Sequence, residues 1–427
     1  MPKKVLIITY YWPPAGGPGV QRWLKFVKYL PAFDIIPIVY IPENPSYPIV
    51  DKRIAEEVPE GLQMIKAPIF EPYALASFLS KRKTKTISSG IITEDKQSLI
   101  ERFMLFVRGN LFIPDARKFW IKPSVKYLRT FIENEQIGTV ITTGPPHSLH
   151  LIGRALKTHL KVKWIADFRD PWTTIGYHNK LKLLPLAAGK HKQMEWHVLN
   201  EADHVTVTSP TTKKEFSLLT NQPITVLTNG FDDRDAHSIT LDKKFTISHI
   251  GSLLSGRNPT SLWSAIGALL KEHDDFSSDF QLNLVGTVSD EVYRSIEAFG
   301  LVNHLNTVGY VSHELARTYQ YQSQVLLLIE INASHTQCII PGKLFEYMQT
   351  GRPIFAVGPA GADFKNIIRE TKTGVSFNYE EQRLMKLKLL EYYNAYKSGR
   401  LEVAPKNLSN YHRKTLTKKM AAIIQNC

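Results

Sequence analysis

Five short segments bring together side chains whose types and spacing can do chemistry. In the run from Ile340 to Ile354, Pro341 and Gly342 open a predicted helix, Lys343 falls in its first turn, and Glu346 follows three residues later on the same face. A cation in the first turn is repelled by the positive end of the helix dipole, so Lys343 is expected to serve a phosphate rather than the helix. Glu346 can accept two hydrogen bonds, which suits the paired hydroxyls of a ribose. The competing explanation is a salt bridge between the two on the helix surface.

The other four segments follow apolar runs. Trp12 to Gly19 is rich in glycine and proline and leads into a predicted helix, and its Gly16, Gly17 and Gly19 would let backbone N–H groups approach an anion or a sugar. The third glycine of a dinucleotide fingerprint would fall at Arg22, whose bulk opposes that reading and makes Arg22 a candidate for phosphate or acceptor contact. A simple tight turn explains the same residues without a ligand. Thr142 to Ser148 places His147 between a Pro-Pro turn and a helix start, and Asp167 to Trp172 carries Asp167, Arg169 and Asp170. A structural histidine and a local ion-pair network are the alternatives there. Further on, Gly251 to Asn258 is a flexible turn that carries Arg257 before a helix.

Elements that could position these groups are legible in the pattern. Val5 to Thr9, Ile36 to Tyr40, Thr139 to Thr142, Lys163 to Ala166, Val205 to Thr208 and Ile224 to Leu227 read as strands separated by helical stretches. A second series runs through Phe245 to Ile250, Phe280 to Val285, Leu305 to Val308, Val325 to Ile329, Pro353 to Val357 and Val375 to Phe377. Strands alternating with helices predict right-handed crossovers and parallel sheets, whose carboxyl ends form the ligand crevice. The expected architecture is α/β, with two doubly wound Rossmann-like domains. Their expected bounds are residues 1–232, with a helical, basic and aromatic insertion at about 70–130, and 233–408, followed by a terminal helix at 409–427 that crosses back to the first domain. In that helix Leu416, Met420, Ile423 and Ile424 fall at helical spacing.

Composition limits the function. The chain has 427 residues, 43% of them hydrophobic, which is long enough for two cores. Its net charge of +14 asks for acidic partners. No zinc finger, RNA-binding signature or long Lys/Arg tract points to nucleic acid; phosphate-bearing small molecules and an anionic membrane surface remain. Basic patches lie at Lys81 to Lys85 and Lys180 to Lys192. Two cysteines, Cys338 and Cys427, suggest neither a disulfide framework nor a zinc site and fit a reducing cytoplasm. No apolar run approaches the roughly 18 residues of a membrane span.

Taken in order, the glycine-rich loop after the first strand, Asn229-Gly230, and the Pro341 to Tyr347 segment resemble the retaining GT-B glycosyltransferases of family four, also called glycosyl transferases group one. The resemblance covers almost the whole chain. It implies two domains facing across a cleft, a nucleotide diphosphate sugar as co-substrate, no metal and no other cofactor, and transfer with retention to a saccharide or lipid-linked acceptor. Glu346 matches the second glutamate of the family's pair, and Cys338 stands where the first would be. Ser252 replaces the arginine common at the start of the second domain, and Arg257 stands at the position of the following lysine. Catalysis is thus expected of His147, Asp167, Arg169 and Asp170; donor binding of Gly17, Gly19, Gly251, Arg257, Lys343, Leu344 and Glu346; and the acceptor side of Gly16 and Arg22. A nucleotide-sugar epimerase or hydrolase using Asp167 and Asp170 as acid and base is one alternative, and a non-catalytic sugar-nucleotide-binding subunit is another. The cytoplasm is the expected location, with a peripheral station at the inner face of the membrane.

Overall fold

A computed structural model describes residues 2–71, 99–179, 181–233 and 240–427. Its contacts divide the chain into two units, residues 1–230 with 413–427, and residues 231–412. The patch at Lys81 to Lys85, most of the first half of the expected insertion, and Lys180 lie outside the described residues.

In the first unit, seven parallel strands lie in the order β3-β2-β1-β4-β5-β6-β7. They are β1 (Lys3–Ile8), β2 (Ile35–Pro42), β3 (Gln63–Ala67), β4 (Thr139–Gly144), β5 (Lys163–Phe168), β6 (His204–Val207) and β7 (Ile224–Val226). The central strands read as continuous apolar runs because both faces are covered. Val5 and Ile7 of β1 face the helix Pro18–Tyr29, with Trp23, Leu24 and Val27, while Leu6 and Ile8 face Trp120, Leu128 and Ile132 on the other side. Each such side chain contributes roughly 1.5–3 kcal/mol when fully buried. The helix Ile121–Glu135, which overlaps the end of the stretch expected as an insertion, packs on this sheet as a crossover helix. Of the aromatics in that stretch, Trp120 is core, whereas Phe103 and Phe119 are exposed.

The second unit repeats the plan with six parallel strands in the order β10-β9-β8-β11-β12-β13. These are β8 (Phe245–Ile250), β9 (Phe280–Val285), β10 (Leu305–Gly309), β11 (Val325–Ile329), β12 (Ile354–Val357) and β13 (Gly374–Phe377). Val325, Leu327 and Ile329 point to one helical layer and Leu326 and Leu328 to the other, again with no polar face. The expected doubly wound α/β architecture is the observed one.

The helix Arg413–Asn426 belongs to the first unit, where Leu416, Met420, Ile423 and Ile424 pack with Trp23, Leu24 and Val27. In both sheets the strand order reverses once, between β1 and β4 and between β8 and β11. Crevices for ligands open at such switch points, beyond the carboxyl ends of the strands. Among the described residues, no helix is long and apolar enough to cross a membrane.

Candidate functional site

In the first unit, Asp167 at the end of β5 is fully buried and its carboxylate is saturated. Oδ1 accepts from Arg22 Nη2 at 2.8 Å and Thr206 Oγ1 at 2.7 Å; Oδ2 accepts from Trp23 Nε1 and Thr143 Oγ1, both at 2.8 Å. Burial alone would push this carboxyl up, but the Arg22 charge and these donors hold it below the usual carboxylate range. Arg22, 4% exposed, also donates to the carbonyls of Leu227 and Thr228. This corrects two expectations. Asp167 has no lone pair left for a substrate, and Arg22 reaches neither phosphate nor acceptor; together they pin the first helix to β4, β5, β6 and the segment after β7. An acid–base pair of Asp167 with Asp170 falls with them.

The glycine-rich turn serves packing in a similar way. Gly17 caps the helix Pro18–Tyr29 at φ 109°, a conformation that favours glycine, with Pro18 in the first turn. A Cβ on Gly19 would run into the Arg169 guanidinium, and one on Gly16 would lie 2.9 Å from Ile49 Cγ2. Arg169 itself donates to the carbonyls of Gly144 and Pro145 and lies over the Tyr11 ring. Gly16 and Gly19 thus make room for protein side chains, and Arg169 ties the loops after β1, β4 and β5 to one another.

Around these loop ends lies a cavity of about 270 Å³, lined by Tyr11, Asp115, Arg117, Pro145, Pro146, His147, Asp170, Trp172, His178 and His191 among others. His147 stacks on Trp172 with ring centroids 4.7 Å apart and planes 4° from parallel, and neither ring nitrogen has a hydrogen-bond partner. Burial, reinforced by His150 and Arg169, lowers its pKa well below the ordinary value. Asp170 lines the same cavity, and burial pushes its carboxyl up against the pull of Arg169. Two supports have no signature in the sequence. Asp115 caps the helix Ser148–His159, accepting from Ser148 N and Oγ at 2.9 Å each. Glu195, 3% exposed, accepts from the backbone of Trp172 and Thr173 and so fixes the indole against His147.

In the second unit, the turns after β8 and β9 hold Gly251 and Gly286 at φ 121° and 128°, and a Cβ on Gly286 would lie 2.5 Å from the Gly251 carbonyl oxygen. Lys343, at the start of the helix Gly342–Met348, extends so that its Nζ lies 2.8 Å from where a Gly251 Cβ would be. Its Nζ is 3.3 Å from His249 Nε2, and among the described residues no carboxylate pairs with it. Burial, then the charge of Arg257, lowers its pKa to about 8, against the opposing pull of Glu330 and Glu346. Arg257 is held by Glu330 at the end of β11, with Nη2 2.9 Å from Oε1. Glu330, 2% exposed, closes the apolar run of β11 and was invisible as a partner in the sequence. Glu346 accepts from Gln320 Nε2 at 2.9 Å and lies 3.5 Å from His313 Nε2. Tyr347 is clamped to Ile250, accepting from its N–H at 3.1 Å. Leu344 is a correction: its side chain is fully buried in the core and its N–H donates to Pro341, so it offers nothing to a donor. Gly251, Arg257 and Lys343 come together, with Glu346 on the same helix as Lys343.

No protein-family model matches the chain, and no curated protein matches it in sequence. Solved structures do. The sucrose-phosphate synthase of Thermosynechococcus elongatus is 13% identical over 99% of this chain and 98% of its own, with a TM-score of 0.58. The lipopolysaccharide outer core galactosyltransferase WaaB is 12% identical over 99% of both chains, with a TM-score of 0.59. A TarM mutant of S. aureus, in complex with fondaparinux, α-GlcNAc-glycerol and UDP, is 12% identical over 99% of both, with a TM-score of 0.57. At these identities the likeness is one of fold, it extends over the whole chain, and the fold is GT-B.

Proposed function

We propose that this chain is a glycosyltransferase that moves a sugar from a nucleotide diphosphate sugar to a saccharide or lipid-linked acceptor. The observation that carries the reading is Lys343, a half-buried cation with no carboxylate partner among the described residues, beside Arg257 and against a bare Gly251 at the switch point of the second sheet. A protein keeps such a charge at a cost, and an incoming diphosphate relieves that cost with charge-assisted hydrogen bonds. As the bond from the anomeric carbon to the diphosphate breaks, Lys343 and Arg257 stabilise the negative charge gained by the leaving group. Glu346, oriented by Gln320, takes the ribose hydroxyls. The whole-chain likeness to glycosyltransferases, one of them solved with UDP and saccharides, supports the same reading. Retention at the anomeric carbon, independence of metal, an acceptor from cell-envelope polysaccharide or glycolipid synthesis, and a station in the cytoplasm or on the inner face of the membrane complete the proposal.

Calorimetric titration with UDP, GDP and ADP tests it. One of the three is expected to bind wild type and to lose at least tenfold in affinity in both Lys343→Gln and Arg257→Gln. Absence of binding by all three, or unchanged affinity in both variants, refutes the diphosphate assignment.

A further inference from the structure

The Lys343 ammonium meets a histidine that belongs to the second sheet itself. His249 is fully buried near the end of β8, just beyond the point where the pairing of that strand with β11 stops, at Ser248 and Leu326. The next carbonyl of β11, that of Leu327, accepts from His249 Nδ1 at 3.1 Å. A carbonyl only accepts, so Nδ1 carries the ring proton and Nε2 of the neutral ring keeps a lone pair. That nitrogen lies 3.3 Å from Lys343 Nζ, and a Cβ on Gly251 would lie 2.8 Å from the same Nζ. We infer that His249 is a positioning residue for the diphosphate: its Nε2 takes one of the three ammonium protons of Lys343 and leaves the other two to the ligand.

This role rests on the reading of Lys343 as the cation that meets a nucleoside diphosphate. A carboxylate in place of the imidazole would hold the ammonium but cancel its charge, and the diphosphate would have to compete with it. A neutral ring holds without cancelling. Burial, then the Lys343 charge, lowers the pKa of His249 well below its ordinary value, against the pull of the Leu327 and Ser252 carbonyls. Besides His249, Lys343 faces Arg257 from the turn after β8, Glu330 from the end of β11 and Glu346 from its own helix. A hydrogen bond to the charged form favours that form, so His249 raises the pH up to which Lys343 keeps its proton. Lysine has a flexible four-carbon stem, and fixing its end before the ligand arrives removes part of the ordering cost of binding. A histidine that served only the sheet would need the Leu327 bond alone; its second contact, to a cation at the ligand crevice, is what such a role leaves unexplained.

Calorimetric titration of the full chain with UDP, GDP and ADP tests it, on both sides of the pH of about 8 at which Lys343 titrates, in wild type, His249→Phe and His249→Gln. His249→Phe keeps a flat ring and loses both nitrogens. It is expected to bind the diphosphate about tenfold more weakly, and the pH at which affinity falls is expected to move down from that of wild type. His249→Gln, whose amide oxygen can stand where Nε2 does, is expected to recover most of both losses. If His249→Phe does not fold, the imidazole 15N resonances of wild type and of Lys343→Met decide. Nε2 is expected to be unprotonated in wild type and to shift in Lys343→Met, with Nδ1 in place. Unaltered affinity and pH midpoint in folded His249→Phe, equal losses in the Phe and Gln variants, a proton on Nε2 aimed at the Ser252 carbonyl, or an Nε2 resonance indifferent to Lys343 each overturn the role. Failure of all three nucleotides to bind wild type refutes the diphosphate reading and this role with it; binding that ignores His249 refutes the role alone.

Discussion

At the scale of single residues, charge and burial assign different duties to groups that look alike in the sequence. Lys343 has a folded pKa of about 8 against an ordinary 10.5, so in the absence of ligand its charged form costs roughly 3 kcal/mol below pH 8, at 1.36 kcal/mol per unit. Between these two values the unfolded chain binds the extra proton, so stability rises with pH across that window. Lys343→Met is therefore expected to melt higher than wild type at pH 7 and to lose that rise, while nucleoside diphosphate affinity drops. In wild type, affinity for the diphosphate should fall as pH climbs through about 8 and the ammonium is lost. A lower melting temperature with unchanged nucleotide binding would make Lys343 structural. Asp167 is the opposite case. Its carboxyl is held low by Arg22, so its stabilising contribution is present above the ordinary carboxylate pKa and is lost as pH falls through the lower folded value. Replacing Asp167 with Asn leaves Arg22 buried and unpaired, at an expected cost of about 3–5 kcal/mol in chemical denaturation. A loss of turnover with full stability would restore Asp167 to the chemistry.

At the scale of elements, the glycine-rich turn shows how packing and ligand signals are confounded. Gly19 lies in the helix Pro18–Tyr29, where an alanine would ordinarily gain about 1 kcal/mol of helix propensity. Here the new methyl group would displace the Arg169 guanidinium from the two carbonyls it bridges. Overpacking of this kind costs about 1–3 kcal/mol, so Gly19→Ala is expected to melt lower than wild type; a higher melting temperature would show that Arg169 moves freely. The central strands of both sheets were readable because their apolar runs are buried on both faces. β3 was not, since Gln63, Met64 and Lys66 of this edge strand are exposed and leave no apolar run. The cations and glycines of the second unit could be picked out because they break local rules: a lysine in a first turn, and a glycine after a buried strand. Glu330, Asp115, Glu195 and Gln320 break none. Each acts through a partner tens of residues away, such as Arg257 for Glu330 or Thr173 for Glu195, and no local pattern encodes such a pairing.

At the scale of the whole molecule, the chain leaves its first unit near residue 230 and returns to it at 413, so the stability of that unit depends on residues far away in the sequence. Leu416, Met420 and Ile424 are at most 4% exposed and close the core over Trp23 and Val27. Removing residues 413–427 uncovers both sides of that contact, and three such side chains account for roughly 5–9 kcal/mol of burial before entropy is subtracted. That is comparable to the whole stability of a typical domain, about 5–15 kcal/mol. A frayed, dispensable tail is the ordinary fate of a terminus, but a frayed tail does not bury its apolar residues. The proposed nucleotide contacts, by contrast, all belong to residues 251–346 and to the other unit. The truncated chain is therefore expected to unfold in two transitions. The lower one comes from the first unit and is shifted well down from wild type; the upper one is still raised by the nucleoside diphosphate that binds wild type, in proportion to the logarithm of its concentration. Calorimetry with and without nucleotide decides the matter: a single transition at the wild-type temperature would show the helix to be dispensable, and a nucleotide shift of the lower transition would move the phosphate site to the first unit.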